Sequence, residues 1–338
     1  MPDFNELPEN QPQPVRIVIA SPAVARQNNG NWQTASRWAA FLDEDYAVDI
    51  VPQWQASDPA PDLLIALHAR RCAPSLAALA AAYPGRPSIL VLTGTDLYRD
   101  IAVDASAQAS LDHATALVLL QPAGRAHLPE AMRHKAHVIF QSADTIPKLA
   151  ARTRTICMLG HLRDEKDPGT FMRAAALVTV PDVTLVHIGA ALDPSWDARA
   201  RSTAAAHPGY QWLGALPRDG ARAQLAQSHA MVIASTMEGG ANVIIEAVTS
   251  GVPVLASDIS GNRGMLGEDY AGYFAQGDAA ALAALIDRAF DDPAFYGQLA
   301  AQCAARAPLF APGAERAALR ELVDNLLHAL PHPTSNRN

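Results

Sequence analysis

Glu238-Gly-Gly-Ala-Asn-Val-Ile-Ile-Glu246 runs directly into Ala247-Val-Thr-Ser-Gly251-Val-Pro253-Val-Leu-Ala-Ser257, and this stretch decides how the chain is read. Two carboxylates lie eight residues apart. The pattern places Glu238 before a Gly pair at the mouth of a helix and Glu246 about two turns inside it. Gly251-Val-Pro253 ends that helix, and a strand follows. At a rise of about 1.5 Å per residue, the acids would stand roughly 10 Å apart along the axis. A helix N-terminus between them offers free N–H groups and positive partial charge to an anion. Such a site suits a nucleotide-sugar: sugar at Glu238, diphosphate at the amides of Gly239, Gly240, Ala241 and Asn242, ribose at Glu246.

Outward from this stretch, short apolar runs alternate with Ala-rich helical ones. The expected strands are Val15–Ser21, Ala47–Val51, Leu63–Leu67, Ile89–Thr93, Ala116–Gln121 and His137–Gln141, then Arg154–Gly160, Val183–Gly189, Tyr210–Leu213, Met231–Ala234, Val252–Ala256 and Tyr273–Phe274. Continuous apolar runs of this length belong to strands covered on both faces. Repeated strand–helix–strand units predict parallel, doubly wound sheets. Twelve strands exceed one such sheet, and the polar segment Asp144–Thr153, which contains Pro147, divides them into two similar halves. The expected α/β organisation is two Rossmann-like domains, 15–147 and 148–310, facing across a cleft. A helix at 311–330 packs back toward the first, and 1–14 and 331–338 are disordered.

Composition narrows the class. The chain has 338 residues, is 49% hydrophobic and carries a formal charge of −8. Residues 1–150 hold 11 Lys+Arg against 15 Asp+Glu, and the remainder 15 against 19. Neither half has the basic field that nucleic acid or an anionic membrane requires. No apolar run reaches the 18 or so residues of a span, and Met1–Pro14 is too polar for a signal peptide. The three cysteines, Cys72, Cys157 and Cys303, stand singly, without metal-ligand or disulfide spacing. A cytoplasmic chain without a metal or cofactor is expected, acting on small molecules; oligomeric state stays open.

Four loops carry candidate chemistry. Met158-Leu-Gly160-His161-Leu-Arg163-Asp-Glu-Lys166-Asp167-Pro168 joins a strand to a helix, and its cations can neutralise a diphosphate. Read alone it is an ordinary solvated loop; about seventy residues before Glu238–Glu246 on the same sheet edge, it gains function. Asn28-Asn29-Gly30-Asn31-Trp32-Gln33-Thr34-Ala35, after the first strand, can form an anion-binding nest, although Asn-Asn-Gly-Asn also makes a plain turn and cap. Thr93-Gly94-Thr95-Asp96-Leu97-Tyr98-Arg99 offers hydroxyls, a carboxylate and an arginine, or a capped turn. His68 closes a strand before Ala69-Arg70-Arg71, where a satisfied structural histidine is the commoner outcome. Gln121 and Gln141-Ser142 also end strands and can line the cleft.

Gly160…Lys166 with Glu238…Glu246 and Gly251-Val-Pro253-Val resembles the family-4 retaining glycosyltransferases of the GT-B fold. The resemblance implies a UDP-sugar donor held by the C-terminal domain, with Glu238 on the sugar, Glu246 on the ribose and Lys166 on the diphosphate. The family's arginine behind the loop glycine does not map cleanly: His161 follows Gly160, and Arg163 is the nearest substitute cation. Gly30-Asn31-x-x-Thr34-Ala35, Ala66-Leu-His68-Ala-Arg70, Leu92-Thr-Gly-Thr-Asp-Leu-Tyr98 and Leu120-Gln121 narrow the resemblance to the selenosugar synthases of selenoneine biosynthesis. That likeness implies transfer from UDP-N-acetylglucosamine to selenophosphate. Selenophosphate is already anionic, so no base is needed; it needs an electropositive, amide-rich seat. Asn28, Asn29, Gly30, Asn31, Thr34, Thr93, Gly94, Thr95 and Arg99 would form that seat, with Arg70 or Arg71 beside it. Lys166, Arg163, Glu238 and His68 would serve catalysis, and Gly160 and His161 the donor. A UDP-sugar-dependent glycosyltransferase with another small acceptor, a nucleotide-sugar 2-epimerase and a non-catalytic nucleotide-sugar sensor are the alternatives. The epimerase needs acids and bases around C2, and the N-terminal half supplies no evident carboxylates beyond Asp96 and Asp100.

Overall fold

The computed structural model describes residues 14–22, 30–146 and 153–329. Asn28, Asn29, residues 1–13 and 331–338 of the expected tails and residues 147–152 of the expected connector lie outside the described residues. The strands are β1 (Arg16–Ala20), β2 (Ala47–Val51), β3 (Leu63–Leu67), β4 (Ser88–Leu92), β5 (Ala116–Leu119), β6 (Ala136–Val138), β7 (Thr155–Leu159), β8 (Thr184–Ile188), β9 (Tyr210–Trp212), β10 (Ala230–Ile233), β11 (Val254–Ser257) and β12 (Tyr273–Phe274). Each matches one of the apolar runs read from sequence. Burial explains why they lack alternation. Every residue of β3 and β4 is buried, because helices cover both faces.

All pairings in both sheets are parallel. Their orders differ: β2-β1-β3-β4-β5-β6 in the N-terminal sheet and β12-β11-β10-β7-β8-β9 in the C-terminal one. The second is the Rossmann order, whereas the first has the flavodoxin-like start. The halves that read as similar in sequence are therefore wound differently. In each sheet a crevice opens where the order reverses, between β1 and β3 and between β7 and β10. Residues of the loops after β7 and β10 meet there although far apart in sequence, because Ile156, Cys157 and Met158 pair with Ala230, Met231 and Val232.

One hydrophobic core surrounds the C-terminal sheet, and two cores cover the faces of the N-terminal one. The helix Pro312–His328 belongs to an N-terminal core through Leu319, Leu322 and Val323. Glu315 fastens it. Its buried carboxylate accepts from Arg37 Nε at 2.7 Å, Trp38 Nε1 at 2.7 Å, Ser142 N at 2.7 Å and Ser142 Oγ at 2.5 Å.

The helix behind the deciding stretch starts later than its sequence suggests. It spans Asn242–Thr249, so Glu246 lies little more than one turn inside, and Glu238 belongs wholly to the preceding loop. Its end follows the sequence: Val252 N donates to Ala247 O and Gly251 N to Val248 O, with Gly251 at φ +65°. This is a Schellman closure, a conformation that favours glycine.

Candidate active site

Lys166 reaches across the β7–β10 crevice to Glu238, Nζ to Oε1 at 2.5 Å. Ser235 Oγ donates to the same carboxylate oxygen at 2.6 Å. The two loops are also tied by backbone, Thr236 N donating to Glu165 O at 2.9 Å. Asp167, in the left-handed conformation at φ +42°, turns the chain after Lys166 and caps the helix Pro168–Ala174 through Thr170. This sharp reversal holds Lys166 at the sheet edge.

Gly160 is bonded through its amide to Ile188 O at 2.9 Å, and its Cα hydrogens face the aliphatic stem of Lys166. His161 accepts from Ala190 N on Nδ1 at 3.1 Å. Desolvation, then Arg163 and Lys166, holds its imidazole below the ordinary value, so it is neutral at physiological pH. Arg163 points elsewhere: it pairs with Glu165 at 3.9 Å, and its side chain is about half exposed.

Gly239 brings the donor-side loop against the N-terminal half. A Cβ there would lie 2.4 Å from Thr93 O and 2.7 Å from Gly94 N, a distance no side chain tolerates. Gly240 approaches Leu120 and Gln141 as closely. Ala241 gives no side-chain cap, and both Ile244 N and Ile245 N turn back to its carbonyl. The amides of Asn242 and Val243 have no acceptor within the helix, so the helix mouth presents them to the cleft. Glu246 is lifted above the usual carboxylate range by desolvation, against the pull of Arg222 and Arg218. Arg222 in turn donates to Asp144 O at 2.6 Å.

Across the cleft, Asp96 organises the N-terminal edge. It is fully buried and accepts from Thr93 N at 2.9 Å, Gly94 N at 2.8 Å and Ala69 N at 2.9 Å. The amides of Thr93 and Gly94, expected to receive an acceptor, are therefore committed to Asp96. Thr95 Oγ1 lies 3.3 Å from His68 Nε2. His68 takes φ +105°, a conformation costing about 1–3 kcal/mol for a residue with a side chain. Its ring is buried, which lowers its basicity; Asp96 and Asp100 oppose this and Arg71 and Arg70 reinforce it. Arg70 Nε and Arg99 Nε bond Asp100 at 2.9 and 3.3 Å. Asp96–Asp100 forms a π-helical turn, a rare form that is frequent at functional sites. Gly30 and Asn31 open the helix Gly30–Leu42, and Gly30 lies beside the Asn242 side chain, but Thr34 is buried within the helix. Its hydroxyl is spent on Gly30 O at 2.9 Å and on the amide of Gln141.

The edge of β8 and β9 holds a hollow of about 370 Å³, lined by Ala190–Leu192 and by Trp212, Gly214 and Ala215 among others. Sequence reading passed over it. Its lining also includes Asp193 and Asp197, but these residues show no recognisable spacing, and only the register of β8 beside β7 places the hollow next to His161. Among the described residues, no three His, Cys, Asp or Glu side chains are grouped to hold a metal ion.

Two parallel sheets, with a lysine–glutamate pair and a helix mouth at their facing edges, match a family model described as glycosyl transferases group 1 over residues 141–309, half of the chain. The chain belongs to that family. Solved structures extend the likeness to the whole fold. Anabaena HepE, in complex with UDP and glucose, superposes with a TM-score of 0.72 at 15% identity, over 92% of this chain and 100% of HepE. Sucrose-phosphate synthase from Thermosynechococcus elongatus gives 0.72 at 16% identity, over 93% and 99%. The pneumococcal O-GlcNAc transferase GtfA, in complex with UDP and GlcNAc, gives 0.64 at 17%, over 79% and 57%. The GT-B arrangement expected from sequence is thus shown. No described helix is long and apolar enough to cross a membrane.

Proposed function

We propose that this glycosyltransferase moves a sugar, N-acetylglucosamine in the first instance, from UDP to selenophosphate. The observation that carries the reading is the meeting of Lys166 and Glu238 directly beneath the Thr93–Gly94 loop. A donor sugar at Glu238 lies at the line where the two halves touch. Lys166 is then placed to leave Glu238 for the diphosphate, joined by the amides at the mouth of the helix Asn242–Thr249. Glu246 takes the ribose, and the hollow beside β8 and β9 takes the base. The UDP complexes of HepE and GtfA, on the same fold, support a uridine nucleotide.

The selenophosphate half rests on the sequence resemblance and on charge. Arg70, Arg71 and Arg99 gather at the N-terminal edge around a neutral His68, and Asp100 engages only two of them. Selenium attacks the anomeric carbon as the bond from that carbon to the UDP oxygen breaks and UDP departs with the electron pair. Selenophosphate brings no proton to remove, so positioning and leaving-group stabilisation suffice. The phosphoryl group is later lost from selenium to water.

Mass spectrometry tests this. Incubation with UDP-N-acetylglucosamine and selenophosphate should yield UDP and a selenosugar, and omission of selenophosphate should abolish both. Epimerised donor without acceptor would replace the transferase reading, and UDP release with hydroxyl acceptors alone would remove selenium from it.

A further inference from the structure

His187 sits in the middle of β8, between Val186 and Ile188, with no exposed surface. A titratable ring in an otherwise aliphatic strand costs free energy unless its polar atoms are used. Nδ1 is used: it lies 3.2 Å from Tyr210 OH on the neighbouring β9. Phe171 stands edge-on to both rings, at 5.9 Å from His187 and 6.2 Å from Tyr210. Nε2 is buried and has no hydrogen-bond partner among the described residues. The backbone group acting on the ring is the carbonyl of Gly160, which does not meet hydrogen-bond geometry at Nε2.

That carbonyl is oriented from a second side. Gly189 leaves it room: a Cβ at Gly189 would lie 1.9 Å from Gly160 O and 2.9 Å from His161 N. Gly160 N is bonded to Ile188 O at 2.9 Å and Leu162 N to Ala190 O at 2.9 Å, so the chain on either side is pinned to β8. In a trans peptide the C=O and the following N–H point in opposite directions. A Gly160 carbonyl turned toward His187 therefore turns the His161 N–H away from that ring, and the Lys166 stem packs beside the same Gly160.

We propose that His187 is a positioning residue for the leaving group: Tyr210 O–H donates to Nδ1, the unpartnered Nε2–H closes onto the Gly160 carbonyl when the donor binds, and the His161 amide is thereby aimed at the donor's diphosphate. This rests on the nucleotide-sugar reading above. It adds a residue that touches no substrate and lies 27 positions from Gly160, the nearest loop glycine that the sequence singles out. Burial keeps the ring neutral, its pKa pushed down to about 4, so the relay holds throughout the physiological range.

Equilibrium binding of UDP and of uridine, measured by calorimetry, tests it. His187→Leu fills the space without the donor. It should weaken UDP about tenfold, the worth of one hydrogen bond to a charged group, and leave uridine, which lacks the diphosphate, unchanged. Tyr210→Phe should give the same pattern to a smaller extent. Equal UDP affinity in wild type and His187→Leu overturns the positioning role while leaving the donor site intact. A parallel loss of uridine binding also overturns it, because it marks general damage to the fold. Failure of wild type to bind UDP removes both this inference and the reading beneath it.

Discussion

The facing edges of the two sheets are built on opposite principles. At the C-terminal edge the polar groups come from two loops 72 residues apart that strand pairing brings together: Lys166 and Glu238 pair at 2.5 Å over a helix mouth whose first amides have no acceptor within the helix. At the N-terminal edge the polar groups turn inward. Asp96 consumes three backbone amides from two loops, and Asp100 holds two arginines. The first edge is arranged to exchange its internal partner for a ligand. The second is arranged to fix a shape, including the strained His68, from which Arg71 and parts of Arg70 and Arg99 project. Substitution should therefore act on turnover at one edge and on stability at the other.

The largest effect is expected at Lys166. Lys166→Ala removes the cation placed for the leaving diphosphate, and loss of one such stabiliser lowers kcat by about 10²- to 10³-fold. Glu238 keeps the Ser235 hydroxyl, so the chain should stay folded, and discrimination between donor sugars should change far less than kcat. Steady-state kinetics with two UDP-sugars check this. A change confined to KM would show that Lys166 serves ground-state binding, and the contrast between the edges would lose its catalytic half.

The C-terminal edge was legible because its signals are local. Glycines, acids and a terminating Gly251-Val-Pro253 fall at fixed offsets around one helix, and strand pairing brings Gly160–Lys166 to it. Even so, Glu238 and Glu246 read as parts of a single helix, since sequence does not show that the Gly239–Ala241 segment stays extended. The N-terminal edge was legible only as residue types. Thr93 and Gly94 read either as part of the acceptor seat or as a capped turn, and Asp96, three residues on, makes them the capped turn. Arg163 drew attention as the nearest substitute cation, but its orientation depends on Glu165. His187 drew none, since a single histidine in an apolar run carries no pattern.

A smaller effect, of the other kind, is expected from Asp96→Ala. The substitution strands the amides of Ala69, Thr93 and Gly94, and unsatisfied buried donors cost about 1–3 kcal/mol each before water enters. A stability loss of about 3 kcal/mol in urea unfolding is the expected outcome, with UDP affinity of the remaining folded chain close to wild type. Weakened UDP binding at unchanged stability would show that the N-terminal edge belongs to the donor site and would erase the distinction.

The smallest effect should come from Glu246, where the two principles oppose each other in one side chain. Desolvation holds its carboxyl above the ordinary glutamate value of 4.5, with Arg222 and Arg218 offsetting part of the shift. The folded chain then binds its proton more tightly than the unfolded chain, so ionising Glu246 lowers stability as pH rises from the unfolded value through the folded one. Ribose recognition has the opposite sign, because only the ionised carboxylate is purely an acceptor for the two hydroxyls. Across that same window wild type should therefore lose a little stability and gain UDP affinity, while Glu246→Gln should be flat in both apart from the other groups that titrate there. Urea midpoints and UDP titrations in matched buffers separate the two slopes. Slopes of the same sign would mean that Glu246 is held for the fold and not for the nucleotide, placing it with Asp96 and not with Glu238.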